Sequence, residues 1–204
     1  MLVNNSSKKL ITPSLFNTYY WYAVMDYPNA TKEGFLKALR KEETEPTKLM
    51  KDGIKFENEI RDICDRKAFS EGETASYQIA SIVKDGFWQE RVKKEFGDYI
   101  LYGICDVIKD DTIYDIKLTS KYDDMGKYNY SIQHLIYMYC TGMRKFKYLI
   151  SSQEPSCANE VFIEEHSWNA DSENELKSKI FDCINFIYGN DEFRQAYEEN
   201  WIAR

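Results

Sequence analysis

Tyr114-Asp115-Ile116-Lys117 places an acid and a lysine two residues apart inside Thr112 to Leu118. The β-branched and aromatic content of that run predicts a strand. Positions i and i+2 project from one face of a strand. Asp115 and Lys117 therefore point together, while Tyr114, Ile116 and Leu118 face the other way. Charges in an apolar strand are costly without partners, and a cation beside Asp115 would supply one. Two other acid-x-Lys triplets, Asp65–Lys67 and Glu175–Lys177, fall in helical stretches. There i and i+2 diverge, and the charges read as solvated.

The preceding apolar run, Tyr102-Gly103-Ile104-Cys105-Asp106-Val107-Ile108, contains one acid. A turn at Asp110-Asp111 would fold Asp106 back beside Asp115, with Lys117 alongside. Like charges that close repel unless a divalent cation sits between them. The plain alternative for Asp106 is a strand-end acid on a solvated face. In Gly53-Ile54-Lys55-Phe56-Glu57-Asn58-Glu59-Ile60, a helix with Phe56, Ile60, Ile63 and Cys64 inward places Glu57 nearer the apolar stripe than Glu59. Glu57 then looks toward the sheet or is simply a boundary charge. Gln133 and Tyr137 stand at i and i+4, on one face of the helix after the acid-x-Lys strand. They form a site pair or a polar pair at the core edge.

The elements that must carry these residues follow from periodicity and punctuation. Thr12-Pro13-Ser14 starts a helix through Leu15–Met25, capped by Thr12 with Pro13 first. Thr31 to Arg40 and Thr47 to Ala68 read as further helices. Ser76 to Val83, Phe87 to Phe96, Tyr99 to Lys109 and Thr112 to Leu118 read as strands. Asp85-Gly86, Gly97-Asp98 and Asp110-Asp111 are turns between them. After a polar loop, Thr119 to Lys127, comes a helix over Tyr130 to Cys140 that Gly142 ends. Phe146 to Ser151 and Val161 to His166 are strands. Asp171 caps a helix through Ile187, and a last helix covers Asp191 to Trp201. This order predicts an α/β (α+β) fold with a mixed sheet flanked by helices. Residues 1–45 form an N-terminal helical addition, 46–167 the core and 168–204 C-terminal helices, all in a single domain.

The 204 residues suit one compact domain, and 43% hydrophobic content supplies its core. No run of ~18 apolar residues would span a membrane. Without a signal core after Met1 to Lys9, the expectation is a cytoplasmic protein. Cys64, Cys105, Cys140, Cys157 and Cys183 form no tight cluster and read as reduced thiols. With His134 and His166 the only histidines, a zinc or His-rich metal site is poorly supported. The net charge of −7 argues against a generic basic nucleic-acid binder. A nucleic-acid face would have to be local, at Lys117, Lys121 and Lys127 or at Arg144, Lys145 and Lys147. Tyr122, Tyr128 and Tyr130 are candidates for stacking on unpaired bases or are plain packing.

Taken in order, Gly-x-x-x-Glu on a helix, Gly-x-x-Asp on a strand, Asp-x-Lys on the next and Gln-x-x-x-Tyr on the following helix resemble the PD-(D/E)XK nucleases. The similarity is greatest to the RecB-like and lambda-type phage exonuclease branches. Gly53 to Cys64 resembles the lambda-type Gly-x-x-x-Glu helix, and Asp115 to Ser120 the RecB-type Asp-x-Lys-Thr stretch. Leu10 to Ser14 resembles the Ser/Thr-Pro-Ser start of RecB-like nucleases. The match runs from about Leu10 to Ile150. The iron–sulfur cysteines and first-helix histidine of some RecB-like relatives have no counterpart here, which points toward a cluster-free phage-like exonuclease.

The resemblance implies an αβββαβ core and a metal-dependent DNA nuclease, an exonuclease in its closest branches. Mg²⁺ or Mn²⁺ would be held by Glu57, Asp106, Asp115 and the backbone carbonyl of Ile116. Lys117 completes the catalytic set, and Gln133 and Tyr137 position the lysine and the DNA. The residues do not distinguish DNA from RNA, and a homo-oligomeric ring follows only by analogy. The competing readings are a non-cutting nuclease-like module that binds DNA or protein, and an unrelated α+β protein with chance motifs.

Overall fold

The structure, a computed structural model, describes residues 8–25, 27–66, 74–122, 128 and 130–203. Strand β1 (Lys9–Ile11) leads into helix α1 (Pro13–Tyr19). Thr12 Oγ1 accepts the Leu15 N–H at 3.2 Å, and Pro13 occupies the first turn, where no donor is needed. The expected single helix to Met25 changes winding. Tyr20–Val24 is a π-helical turn, closed by the Met25 N–H on the Tyr20 carbonyl at 3.0 Å. Helix α2 (Lys32–Arg40) begins on Thr31, whose Oγ1 accepts the Gly34 N–H at 3.1 Å.

Helix α3 (Lys48–Arg66) is followed by α4 (Ala75–Val83). Residues 76–83 were expected as a strand from their Ile and Val content, and the structure corrects this. The buried residues Ala75, Ser76, Ile79, Ala80 and Val83 recur at helical spacing. They seat α4 on α3, where Ile60 and Ile63 are buried with them. Burial of a stripe outweighed the β-branched preference.

Three strands come next: β2 (Phe87–Phe96), β3 (Tyr99–Lys109) and β4 (Thr112–Thr119). The turns between α4 and β4 use left-handed backbone at Asp85, Gly97 and Asp110. Helix α5 (Gln133–Thr141) ends on Gly142 at φ 77°. After it come β5 (Lys145–Ser152), β6 (Val161–Ser167), α6 (Ser172–Tyr188) and α7 (Asp191–Asn200). Asp171 holds the expected cap position of α6, but its side chain makes no capping bond. Asn169 Oδ1 instead accepts from the N–H groups of Asp171 and Ser172.

Among the described residues six strands form one mixed sheet. β2 runs antiparallel along the whole of one edge of β3. The other edge is shared. β1 pairs there in parallel with residues 99–101, and β4 pairs antiparallel with 107–109. β5 lies parallel to β4, and β6 antiparallel to β5. Between β1 and β4, residues 102–106 of β3 have no strand neighbour on that edge. β1 was not expected from the sequence. Three residues become a strand only because β3 and the C-terminal Trp201 and Ile202 pair with them. One face of the sheet packs on α1, α2, α5, α6 and α7, the other on α3 and α4. Among the described residues, no helix is long and apolar enough to cross a membrane.

Candidate active site

The gap in the sheet is where the chemistry-bearing residues meet. The β3–β4 ladder pairs Lys109 with Thr112, Ile108 with Ile113 and Val107 with Tyr114, and then stops. The next rung would oppose Asp106 to Asp115. Instead Asp106 Oδ2 accepts the Ile116 N–H at 2.8 Å, so a side chain satisfies a donor the ladder has left.

The hairpin strands also change facing at this level. Cys105 packs on the α5 side, Val107 on the α3/α4 side, although they are two apart. On β2, Trp88 packs on the α3/α4 side and Val92 on the α5 side. Between Trp88 and Glu90, which pair with Val107 and Cys105, Gln89 leaves the ladder with φ 54°. A left-handed non-glycine residue inside a strand is uncommon and costs free energy. Here it sits opposite Asp106.

Asp115 is fully buried on β4. Its Oδ1 accepts from Gln133 Nε2, and Lys117 Nζ lies 2.5 Å from Oδ2. Beyond this ion pair Oδ2 accepts no other hydrogen bond. Lys117 leaves 30% of its side chain exposed, enough to reach a ligand in the gap. The two residues share the face toward α5, as their spacing predicts.

Gln133 Nε2 also donates to Tyr137 Oη at 3.3 Å, and that hydroxyl donates to the Ile104 carbonyl at 2.7 Å. The Gln-x-x-x-Tyr pair therefore bridges Asp115 on β4 to the unpaired edge of β3. Gly103 makes the bridge fit. A Cβ there would lie 2.2 Å from Tyr137 Cε1. This gives a physical role to the glycine of Gly-x-x-Asp.

Glu57 is half-buried on α3, and Glu59 is exposed. Glu57 Oε1 accepts from Gln89 Nε2 at 2.5 Å. Burial raises its carboxyl pKa, and Asp106 raises it further, against Lys117 and Gln89. Burial likewise raises Asp106, against Lys117 and the Ile116 N–H. Asp115 is raised by burial and by Asp106 and Glu57, opposed by Lys117. The lysine is held charged, well above its usual range, by Asp115 and Asp106 against the effect of burial. Three carboxylates thus converge on one ammonium, leaving a site rich in negative charge and hard oxygen donors. Among the described residues no three His, Cys, Asp or Glu side chains form a ready-made cation cage. Lys117 stands against Asp115, and Gln89 against Glu57.

Other candidates fall outside this centre. Glu175 and Lys177 pair with Lys179 and Glu173 along the surface of α6. Lys67 and Lys127 lie outside the described residues. Lys145 pairs in register with Thr112, five residues and about 16 Å along β4 from Lys117. Lys147 is bound to Glu165 at 2.6 Å. Tyr122 stacks on Phe162 at 3.9 Å and serves packing, whereas Tyr128, packed on Tyr148, also lines a small pocket beside Lys117. Gln89 is the site residue that sequence reasoning missed. A glutamine in a polar strand carries no signal of its own, and only the register with Asp106 reveals it.

No family model matches the chain, and no curated protein matches it by sequence. Solved structures do. LHK-Exo in complex with dAMP superposes with a TM-score of 0.54 at 14% identity, over 93% of this chain and 92% of that one. A phage-related exonuclease from Haemophilus somnus gives 0.50 at 14%, over 96% of each chain. A candidate exonuclease from Eubacterium rectale gives 0.55 at 14%, over 96% and 90%. The chain has a phage exonuclease-like fold. This is the α/β architecture that the ordered motifs implied. In this exonuclease-like fold, the gap between β3 and β4 is the point at which residues from α3, β2, β3, β4 and α5 converge.

Proposed function

We propose that the protein is a divalent-metal-dependent deoxyribonuclease, acting as an exonuclease, that hydrolyses phosphodiester bonds. One observation carries this reading. The buried Asp115 and the charged Lys117 share one face of β4, inside a sheet gap that also receives Asp106 and Glu57. The exonucleases of similar fold support it, and DNA is the substrate class they suggest.

The oxygen-only donor set, with an Asp115 Oδ2 that accepts nothing beyond its ion pair, fits Mg²⁺ or Mn²⁺. Asp106, Asp115 and the Ile116 carbonyl would hold the ion, with Glu57 completing the set directly or through water. When bound, such an ion supplies a water of lowered pKa and positive charge for the transition state. Lys117 holds its ammonium toward the attacking water or a scissile-phosphate oxygen. Gln133 fixes the Asp115 carboxylate, and Tyr137 fixes Gln133 and the β3 edge. Gln89 holds Glu57 toward Asp106.

The test is cleavage of labelled linear and closed-circular DNA with Mg²⁺, Mn²⁺ or EDTA. Wild type should degrade linear DNA only with metal. Asp115→Ala and Lys117→Ala should each lose at least about a hundredfold in rate, with an unchanged circular-dichroism spectrum. Full activity in either variant would overturn the assignment. The net charge of −7 and the Lys117–Asp115 contact favour a second reading, a non-cutting module that binds DNA or protein. Binding without cleavage under any metal would select it.

A further inference from the structure

A small pocket of about 140 Å³ opens beside Lys117. Its walls come from the start of the chain and from the stretch between β4 and α5. Asn17, Tyr20 and Trp21 contribute one side, Tyr128 and Tyr130 another, and Lys117 and Gln133 the floor. The floor residues are the two that contact Asp115.

Three observations set this pocket apart from ordinary packing. First, the helix that supplies it changes winding on arrival. The π-helical turn begins at Tyr20, closed by Met25 on Tyr20 and followed by the Tyr27 N–H on the Trp21 carbonyl, each at 3.0 Å. Such turns are rare and concentrate at functional sites. Second, the aromatic run divides. Phe16 and Tyr19 are buried in the core, whereas no residue of Tyr20–Val24 is. Tyr130, whose ring stacks on Tyr20 with a 5.8 Å offset separation, is 47% exposed. Val24, Met25 and Tyr27, next along the chain, are exposed as well. Third, the inner end is polar. Ser131 Oγ donates to Asn17 Oδ1 at 3.5 Å and accepts the Gln133 N–H at 3.2 Å.

An aromatic mouth, an amide and hydroxyl interior and an ammonium in the floor match the parts of a nucleotide. Ring faces stack on a base, amides meet its edge, and the cation meets its phosphate. We propose that this pocket seats one unpaired nucleobase of the strand whose phosphate lies at Lys117, so that the substrate is a single strand or a frayed end. The placement of the phosphate rests on the nuclease reading above. Bases in an intact duplex present no free ring face, and the pocket has room for one ring system, not a stacked pair.

The experiment measures binding without turnover, so it separates this inference from the nuclease reading. Full-length protein in EDTA, and again in Ca²⁺, is titrated into fluorescein-labelled oligo-dT, a duplex closed at both ends by glycol loops and an abasic oligonucleotide of equal length. Tyr130→Ala and Trp21→Ala should each weaken oligo-dT binding roughly tenfold, the loss expected for one stacked base, and leave duplex binding unchanged. Trp21→Phe should restore most of the loss, and wild type should bind the abasic strand as weakly as Trp21→Ala binds oligo-dT. Tyr130→Ala removes an exposed ring and keeps the test independent of folding. Equal losses on duplex and single strand, no loss, or undiminished abasic binding would each overturn the proposal. If wild type shows this pattern but cleaves nothing, the pocket stands and the nuclease reading falls.

Discussion

Asp115 and Lys117 were legible because a strand leaves acid and lysine nowhere to go but one shared face. Glu57 was separable from Glu59 by its angle to the apolar stripe, and the structure turns Glu57 alone toward Asp106. Gln89 was not legible, since its role arises from a left-handed backbone opposite Asp106. Gly103 was visible as part of a motif but not as a cause. Gly103→Ala forces a methyl onto the Tyr137 ring, so thermal denaturation should register a loss of about 1–3 kcal/mol together with slower DNA cleavage. Tyr137→Phe keeps the ring and removes the donor to Ile104. It should cost about 1–3 kcal/mol for the unpaired carbonyl, measurable by urea titration. An unchanged midpoint would mean that water replaces the hydroxyl.

Among elements, those with a strong local pattern emerged from the sequence: α3, the β2–β3–β4 meander, α5, α6 and α7. Errors fell where tertiary pairing overrode local preference. β1 exists through partners far away in the chain, and α4 through the stripe it buries on α3. That stripe makes a separable prediction. Ile79 is fully buried on α4, in the apolar cluster it forms with Ile60 and Ile63 of α3, and carries no polar group to the site. Ile79→Ala should lower unfolding free energy by about 2–5 kcal/mol. Cleavage rates measured well below the melting temperature should stay near wild type. A parallel loss of activity at low temperature would show that α4 holds Glu57 more directly than its packing suggests.

For the molecule as a whole, a mixed sheet flanked by helices is what the sequence led one to expect. The acidity of the chain hid a local concentration of function. A second buried polar feature, a histidine pair on α5 and β6, contributes to its response to acid. His134 and His166 stack at 3.9 Å. Burial, and secondarily His166, push the His134 pKa down to about 3, and burial also lowers His166. An unfolded histidine titrates near 6.5. Between about 6.5 and about 3 the unfolded histidines therefore take up protons that the fold refuses, and the pair's contribution to stability falls as pH falls. At pH 5 the loss from His134 is of order 2 kcal/mol. His134→Phe should flatten the decline in melting temperature between pH 7 and 5, as scanning calorimetry would read it.

The short β3–β4 ladder has a mechanical meaning. Three pairs next to the Asp110 turn clasp the hairpin, and beyond them the two strands diverge like the prongs of a fork, each held from behind by its other neighbour, β3 by β2 and β4 by β5. The spacing of Asp106 and Asp115 is then set by side chains and not by a backbone ladder. Gln133 and Tyr137 brace the fork from the α5 side, and Asp106 on Ile116 ties it across. A change at Gln133, Tyr137 or Asp106 would therefore shift the two carboxylates relative to each other without unpairing any strand of the sheet.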